Sequence, residues 1–264
     1  MNRLRFKFIC AAIAGVISMT SSVAIADIIL EETAPQFAGR ITLNMETGET
    51  QWEPADGTPR AGPANDIYRN LGAPSVANGA VSSTDLLALW GDRVMTTGTG
   101  ILDEMDFTIF NSSSSAGTLL TATFGLEYYE GATQNFIDGF NTASVSFGAG
   151  LNPGFFTVIT VTGLGGLNIN LNTSDLFVVQ TVLAKTGPAT RLGIASHDPI
   201  QVGTSANSMF IAASTIGGGV PGFYTLGNPP INANPGYRIN LVPEPGTLSL
   251  LACSMIALCI RRRR

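Results

Sequence analysis

Two stretches of this chain alternate apolar and polar residues so regularly that they constrain its fold class. Over 102–110, Met105, Phe107 and Ile109 fall on one side and Glu104, Asp106 and Thr108 on the other. Over 119–128, Leu120, Ala122, Phe124, Leu126 and Tyr128 oppose Thr121, Thr123 and Glu127. Successive side chains of an extended backbone point to opposite faces, so a period of two over this length means a half-buried strand. The polar run Asn111-Ser112-Ser113-Ser114-Ser115-Ala116-Gly117 between them reads as a turn. Further strand candidates lie at 86–94, 144–148, 155–162, 167–171, 176–183, 191–195, 208–212, 222–226 and 237–242, most of them separated by Gly, Pro or Asn-Asp clusters. No segment between 27 and 243 sustains an apolar stripe of helical period. Short strands at spacings of roughly 8–15 residues predict an all-β, antiparallel β-sandwich of jelly-roll type. No repeat of fixed period argues for a solenoid or propeller.

Residues 27–80 read differently. Strand candidates at 41–45 and 49–53 are joined by Thr47-Gly48, and Pro54, Pro59, Pro63 and Pro74 follow with several glycines. This predicts an irregular N-terminal arm with short strands over 27–80, and a β-sandwich domain over 81–242.

Both ends have their own logic. Arg3, Arg5 and Lys7 precede the apolar run Phe8–Val16, and Ala24-Ile25-Ala26 puts small residues where a signal peptidase inspects the chain. Residues 1–26 therefore read as a signal peptide with a signal helix, cleaved after Ala26 to leave Asp27 first. At the other end, Pro243-Glu244-Pro245-Gly246 leads into Thr247–Ile260, which carries no charge, and the chain closes on Arg261, Arg262, Arg263 and Arg264. An apolar helix partitions into the bilayer, and the arginines resist translocation and stay cytoplasmic. Thr247–Ile260 has 14 residues, whereas a comfortable span needs about 20. Such a short transmembrane helix suits a temporary hold better than a lasting anchor. The prolines flanking Glu244 fix φ and disfavour helix before them, as a stiff, extended recognition site requires.

This arrangement resembles the PEP-CTERM family of sorting tails, in Val242-Pro243-Glu244-Pro245, the apolar segment and the terminal arginines. The resemblance covers about the last two dozen residues, 243–264 being the sorting tail itself. It implies that a membrane protease-transpeptidase, exosortase, recognises the tail. It also implies an exported protein of a bacterium that makes extracellular polysaccharide. Gly91-Asp92-Arg93-Val94, Gly98-Thr99-Gly100 and Thr160-Val161-Thr162-Gly163-Leu164 resemble segments of β-sandwich domains common in such proteins, domains that usually have no assigned activity.

Charge excludes one class of partner. The segment 27–243 holds 18 Asp and Glu against six Arg and one Lys, a formal charge of 7 − 18 = −11. A nucleic-acid binder needs the opposite sign to neutralise phosphates. Cys10, Cys253 and Cys259 all lie in the terminal segments, so the domain between has no disulfide framework and no thiolate chemistry.

Candidate chemistry is sparse. The chain has one histidine, His197, followed by Asp198 and Pro199. Adjacent residues do not hold the geometry of a triad, and His197 reads as a loop residue bonded locally. Asp103, Glu104 and Asp106 form the best cation candidate, yet they divide between two strand faces and lack a calcium-loop spacing. They read as a solvated outer face. For sugar stacking, Trp52, Trp90, Tyr128, Tyr129 and Tyr224 are available. Trp90 and Tyr128 fall on apolar faces, which leaves Trp52 as the ring expected to be exposed. Gly163-Leu164-Gly165-Gly166 and Gly217-Gly218-Gly219 lack the helix and lysine of a phosphate loop and read as turns. No catalytic, cofactor or metal residue is assigned.

The expectation is a non-catalytic protein with a structural or adhesive role in exopolysaccharide or biofilm, placed at the cell surface or in the extracellular matrix. Its partners would be the export machinery and signal peptidase, exosortase, the membrane transiently, and extracellular polysaccharide, with no nucleic acid. The alternative is a secreted carbohydrate-binding module or, behind it, a polysaccharide-acting hydrolase.

Overall fold

The two alternating stretches form long strands of two facing sheets: β7 (Gly100–Asn111) in one and β8 (Leu119–Glu130) in the other. Phe107 of β7 meets Phe124 of β8 edge-to-face between the sheets, with centroids 5.1 Å apart. The structure, a computed structural model, describes residues 29–31, 35–55, 65–71, 79–83, 88–113, 117–197, 199–206, 208–212, 222–224 and 234–243. Among these residues there is no helix long and apolar enough to cross a membrane. The expected signal helix and transmembrane helix fall outside the described residues.

The first sheet has ten strands. Besides β7 they are β1 (Ile29–Glu31), β2 (Gln36–Asn44), β3 (Thr50–Pro54), β4 (Asp66–Arg69), β5 (Gly79–Ser83), β11 (Phe155–Thr162), β12 (Asn170–Leu171), β14 (Leu192–Ser196) and β18 (Tyr237–Leu241). The second has eight: β8 with β6 (Leu89–Met95), β9 (Phe136–Asn141), β10 (Val145–Leu151), β13 (Asp175–Thr186), β15 (Thr204–Ser205), β16 (Met209–Ala212) and β17 (Gly222–Tyr224). The described chain is nearly all β in two sheets, as a sandwich requires.

One pairing departs from the antiparallel expectation. β11 runs parallel to β2 from Phe155↔Gln36 to Thr162↔Asn44. The chain crosses between the sheets several times between these strands, so no hairpin dictates their relative direction. The segment expected as an irregular arm supplies β1 to β4 of the first sheet, with β2 lying between β11 and β3. A bulge interrupts the β2–β11 pairing beside Gly39. Gly39 has φ 142°, and a Cβ there would fall 2.4 Å from the Glu53 carbonyl oxygen, so the position demands glycine.

A second departure concerns β7, which is buried on both faces. Its polar face was expected to meet solvent, yet Asp106 and Thr108 are buried. On β8, Ala122, Phe124, Leu126 and Tyr128 do line the core, but Leu119 turns inward and Leu120 outward. The neighbouring β10 is irregular alongside this end of β8, between Ser146 and Leu151.

One long side of β7 is shared. β18 pairs with it over 102–107 and β14 over 110–111. At the seam the Thr108 carbonyl accepts a 2.9 Å hydrogen bond from Gln180 Nε2, which crosses from β13 in the opposite sheet. The Thr108 hydroxyl bonds both the Ala195 carbonyl and its N–H at 3.2 Å. Buried backbone groups left by the fork thus find side-chain partners.

Candidate functional site

The expected sorting tail leaves the fold from β18, and the sequence of that strand explains how firmly it is held. Tyr237, Ile239 and Leu241 point into the core at period two, and Arg238 and Asn240 occupy the other face. β18 is paired on both sides, with β4 and with β7. Beyond it, the Leu241 N–H donates to the Asn65 carbonyl at 3.3 Å and the Val242 N–H to the Ile101 carbonyl at 2.8 Å. Val242 and Pro243 are exposed. Pro243, the first residue of the expected sorting motif, therefore stands two residues past the last strand. Glu244, Pro245, Arg261, Arg262, Arg263 and Arg264 lie outside the described residues, as do Ala24 and Ala26.

Arg238 fastens β18 across the outer face of the first sheet. Its Nε and Nη2 take the two oxygens of Asp106 at 2.9 Å each, a bidentate grip. It also pairs with Glu104, and with Asp66 at 3.3 Å. Arg40 Nη1 adds a 2.8 Å bond to Asp106 and a 2.7 Å bond to the Thr160 hydroxyl. Arg69 pairs with Asp66 at 3.3 Å. Asp66, Glu104 and Asp106 are thus balanced by Arg40, Arg69 and Arg238 across five adjacent strands. This corrects the reading of Glu104 and Asp106 as a solvated face. Their oxygens face guanidinium groups, and no group of His, Cys, Asp and Glu placed to hold a metal occurs among the described residues.

A second polar cluster lies inside the core. Asp92 sits on the inward face of β6, between Trp90 and Val94, and is fully buried. The Ser205 hydroxyl donates to its Oδ2 at 2.7 Å. Tyr68 and Tyr237 from the first sheet bring their rings within electrostatic reach of this carboxyl, and Tyr128 lies beside Tyr237. Asp92 Oδ1 and the hydroxyls of Tyr128 and Tyr237 have no hydrogen-bond partner in the described structure. The Tyr68 hydroxyl makes a loose contact with Ser205 outside hydrogen-bond geometry. Burial holds the Asp92 carboxyl well above the usual carboxylate range, against a smaller opposing pull from Ser205. Burial likewise pushes all three tyrosines up. Sequence reasoning passed over Asp92. Its signal was a carboxylate at period two between Trp90 and Val94.

The remaining candidates separate cleanly. His197 is buried, its ring edge-on to Phe156 at 5.4 Å and its backbone N–H donating to the Asn234 carbonyl at 2.9 Å. It stands in the loop just past β14, as expected, but it is buried and bonded to the distant Asn234. Trp90, Tyr128 and Tyr129 are buried. Trp52 is 43% exposed, as the sequence suggested, but it pairs with Ile41 and so faces the core side of an edge strand, its ring lying over Gly39. A stripe of rings that the sequence did not reveal crosses the outer face of the second sheet. Phe136, Tyr129, Phe177 and Phe210 follow one another at centroid distances of 5.5, 5.8 and 4.9 Å, and Phe223 packs on the last two. The Tyr129 hydroxyl donates to Glu127 within it. Tyr224 pairs with Met209 through its backbone.

Comparison with known proteins bears on the end of the chain. Residues 241–264 match the PEP-CTERM protein-sorting motif. No curated protein matches the chain.

Proposed function

We propose that this chain is a non-catalytic structural or adhesive protein of the cell surface or extracellular polysaccharide matrix, with the sandwich as cargo and the last residues as address. The observation that carries the reading is the PEP-CTERM protein-sorting motif at 241–264, which supports export and sorting by exosortase. In this reading signal peptidase removes 1–26 after Ala26. The apolar segment Thr247–Ile260 then holds the chain in the membrane with Arg261–Arg264 on the cytoplasmic side, and exosortase acts at or near Pro243–Pro245. We read the sandwich as jelly-roll in type. Its carboxylates support a passive role, because many are occupied. Asp66, Glu104 and Asp106 hold arginines, Arg93 holds Asp175, and Glu127 accepts from Tyr129. Acid–base work on a glycosidic bond needs two carboxyls free to face a sugar across a cleft.

The test is sorting itself. Replacing Glu244 with alanine is expected to abolish the processed form and leave the precursor in the membrane fraction, whereas deleting Arg261–Arg264 removes the brake on translocation and is expected to leave the chain unprocessed and mislocalised. Blotting of cell fractions reads this out, and normal maturation of both variants contradicts the proposal.

The exposed ring of Trp52 favours one second reading, a carbohydrate-binding module. Binding of the purified mature chain to a glycan array, lost on Trp52→Ala, would establish it. Binding that survives the substitution removes Trp52 from consideration.

A further inference from the structure

The sorting motif follows the last strand without a linker, and this inference rests on the reading that a membrane-bound enzyme processes it. Leu241 is buried and Val242 is still bonded to Ile101. From Leu241 to Thr247, where the apolar segment begins, the chain makes six Cα steps. Fully extended, they reach about 20 Å. While the tail is in the membrane, the end of the sandwich from which it leaves is therefore held within about 20 Å of the bilayer surface.

That end can be read from the pairing. It carries the start of β7 and the ends of β2, β11, β6 and β8, with the turns 45–49, 96–99, 131–135 and 163–169. Two routes could bring an enzyme to the motif: peeling β18 off the sheet, or meeting the folded pole. Peeling is opposed at once. It would expose Leu241, break the 3.1 Å bond from Asn240 to Asp66, and then strip Arg238 from three carboxylates.

The pole also has a distinct chemistry. Val242 lies over Gly165, beside Asp103, and Glu46 packs along the Gly163–Gly166 turn. Glu46, Glu49, Asp103 and Glu130 stand here, whereas the charge of Arg93 is met by Asp175 at 2.5 Å. Leu167, at the tip of the turn, is 46% exposed.

We propose that this pole is a docking surface for the membrane-bound processing enzyme, and that its excess carboxylates fit a basic outer face on that enzyme beside the site that receives Pro243. An anionic lipid surface would repel the same carboxylates, so the occupant is the enzyme and not the headgroups.

The experiment follows conversion of the full-length precursor to its mature form by pulse-chase. It compares the parent chain, Glu46→Lys with Asp103→Lys, a ten-residue Gly-Ser spacer between Val242 and Pro243, and the two changes combined. The charge reversal should slow conversion roughly fivefold, as lost rim charges slow association. The spacer frees the motif from the pole, so the combined variant should convert faster than the charge reversal alone. A photo-crosslinker at Leu167 should capture the enzyme, and one at Leu183, toward the opposite end of β13, should not. Conversion of the charge-reversed chain at the parental rate, or equal crosslinking from both positions, overturns docking while leaving sorting intact. A parent chain that is never processed sinks the sorting reading and this inference with it.

Discussion

Arg238→Met is expected to remove about 3–5 kcal/mol of stability, the cost of breaking a buried ion pair by removing one member. The substitution takes the bidentate partner away from buried Asp106, leaving Arg40 on one oxygen, and weakens the hold on Asp66 and Glu104. Arg40 cannot replace the lost guanidinium, because it reaches one oxygen of Asp106 and is shared with Thr160. Denaturant midpoints of the exported chain measure the loss. Arg238→Met combined with Asp106→Asn should recover part of it, since the second change removes the negative charge that Arg238 had balanced. Arg93→Ala serves as the contrast. Its bond to Asp175 holds the guanidinium above its usual range and the carboxyl below its own. The arginine side chain is 46% exposed, however, and solvent reduces such a pair to about 0–1 kcal/mol. A loss from Arg238→Met no larger than that from Arg93→Ala would refute the account of the network.

Stability is expected to fall as pH rises, because of Asp92. Burial raises its folded-state pKa well above the ordinary 3.8. The folded protein therefore keeps a proton that the unfolded chain gives up. The group's contribution is complete below the ordinary value and declines as pH climbs toward the raised one. Over that window the slope approaches about 1.4 kcal/mol per pH unit for one retained proton. The facing hydroxyls of Tyr68, Tyr128 and Tyr237 are raised by the same burial and stay neutral, so they do not offset it. Asp92→Asn keeps the shape and the bond from Ser205 without the ionisable group. It should flatten the pH dependence and be more stable than the parent at about pH 8. Urea midpoints of both chains across neutral pH decide the matter, and parallel curves would rule the explanation out.

The sequence made the fold class legible wherever one face of a strand was core and the other was not. β8, β11, β13 and β18 fall close to their expected positions, because Gly, Pro and polar turns mark their ends. β4 and β9 were not legible. Asp66–Arg69 is four residues among prolines and glycines, and Phe136–Asn141 has no alternation. Their strand character comes from β18 and β8, which pair with them. The outer face of β7 misled for a related reason. Periodicity says that Asp106 lies opposite Phe107, but not that Arg238, 132 residues away, will close over it. The direction of β2 against β11 belongs to the same class, because long-range pairing leaves no local trace. The sorting motif was legible because it is a local run of sequence, matched over 241–264 without any long-range partner.

The fork on β7 bears on the timing of biogenesis. β18 is laid between β4 and β7, which the ribosome completes more than a hundred residues earlier. A chain threading outward from its amino end cannot seat this strand until residue 241 has cleared the translocation pore. By then the greasy segment behind it is next to enter the channel. On the proposed sorting route, closure of the sandwich and arrest in the bilayer would therefore fall within a few residues of each other, and a half-emerged chain would present an open sheet until both had happened.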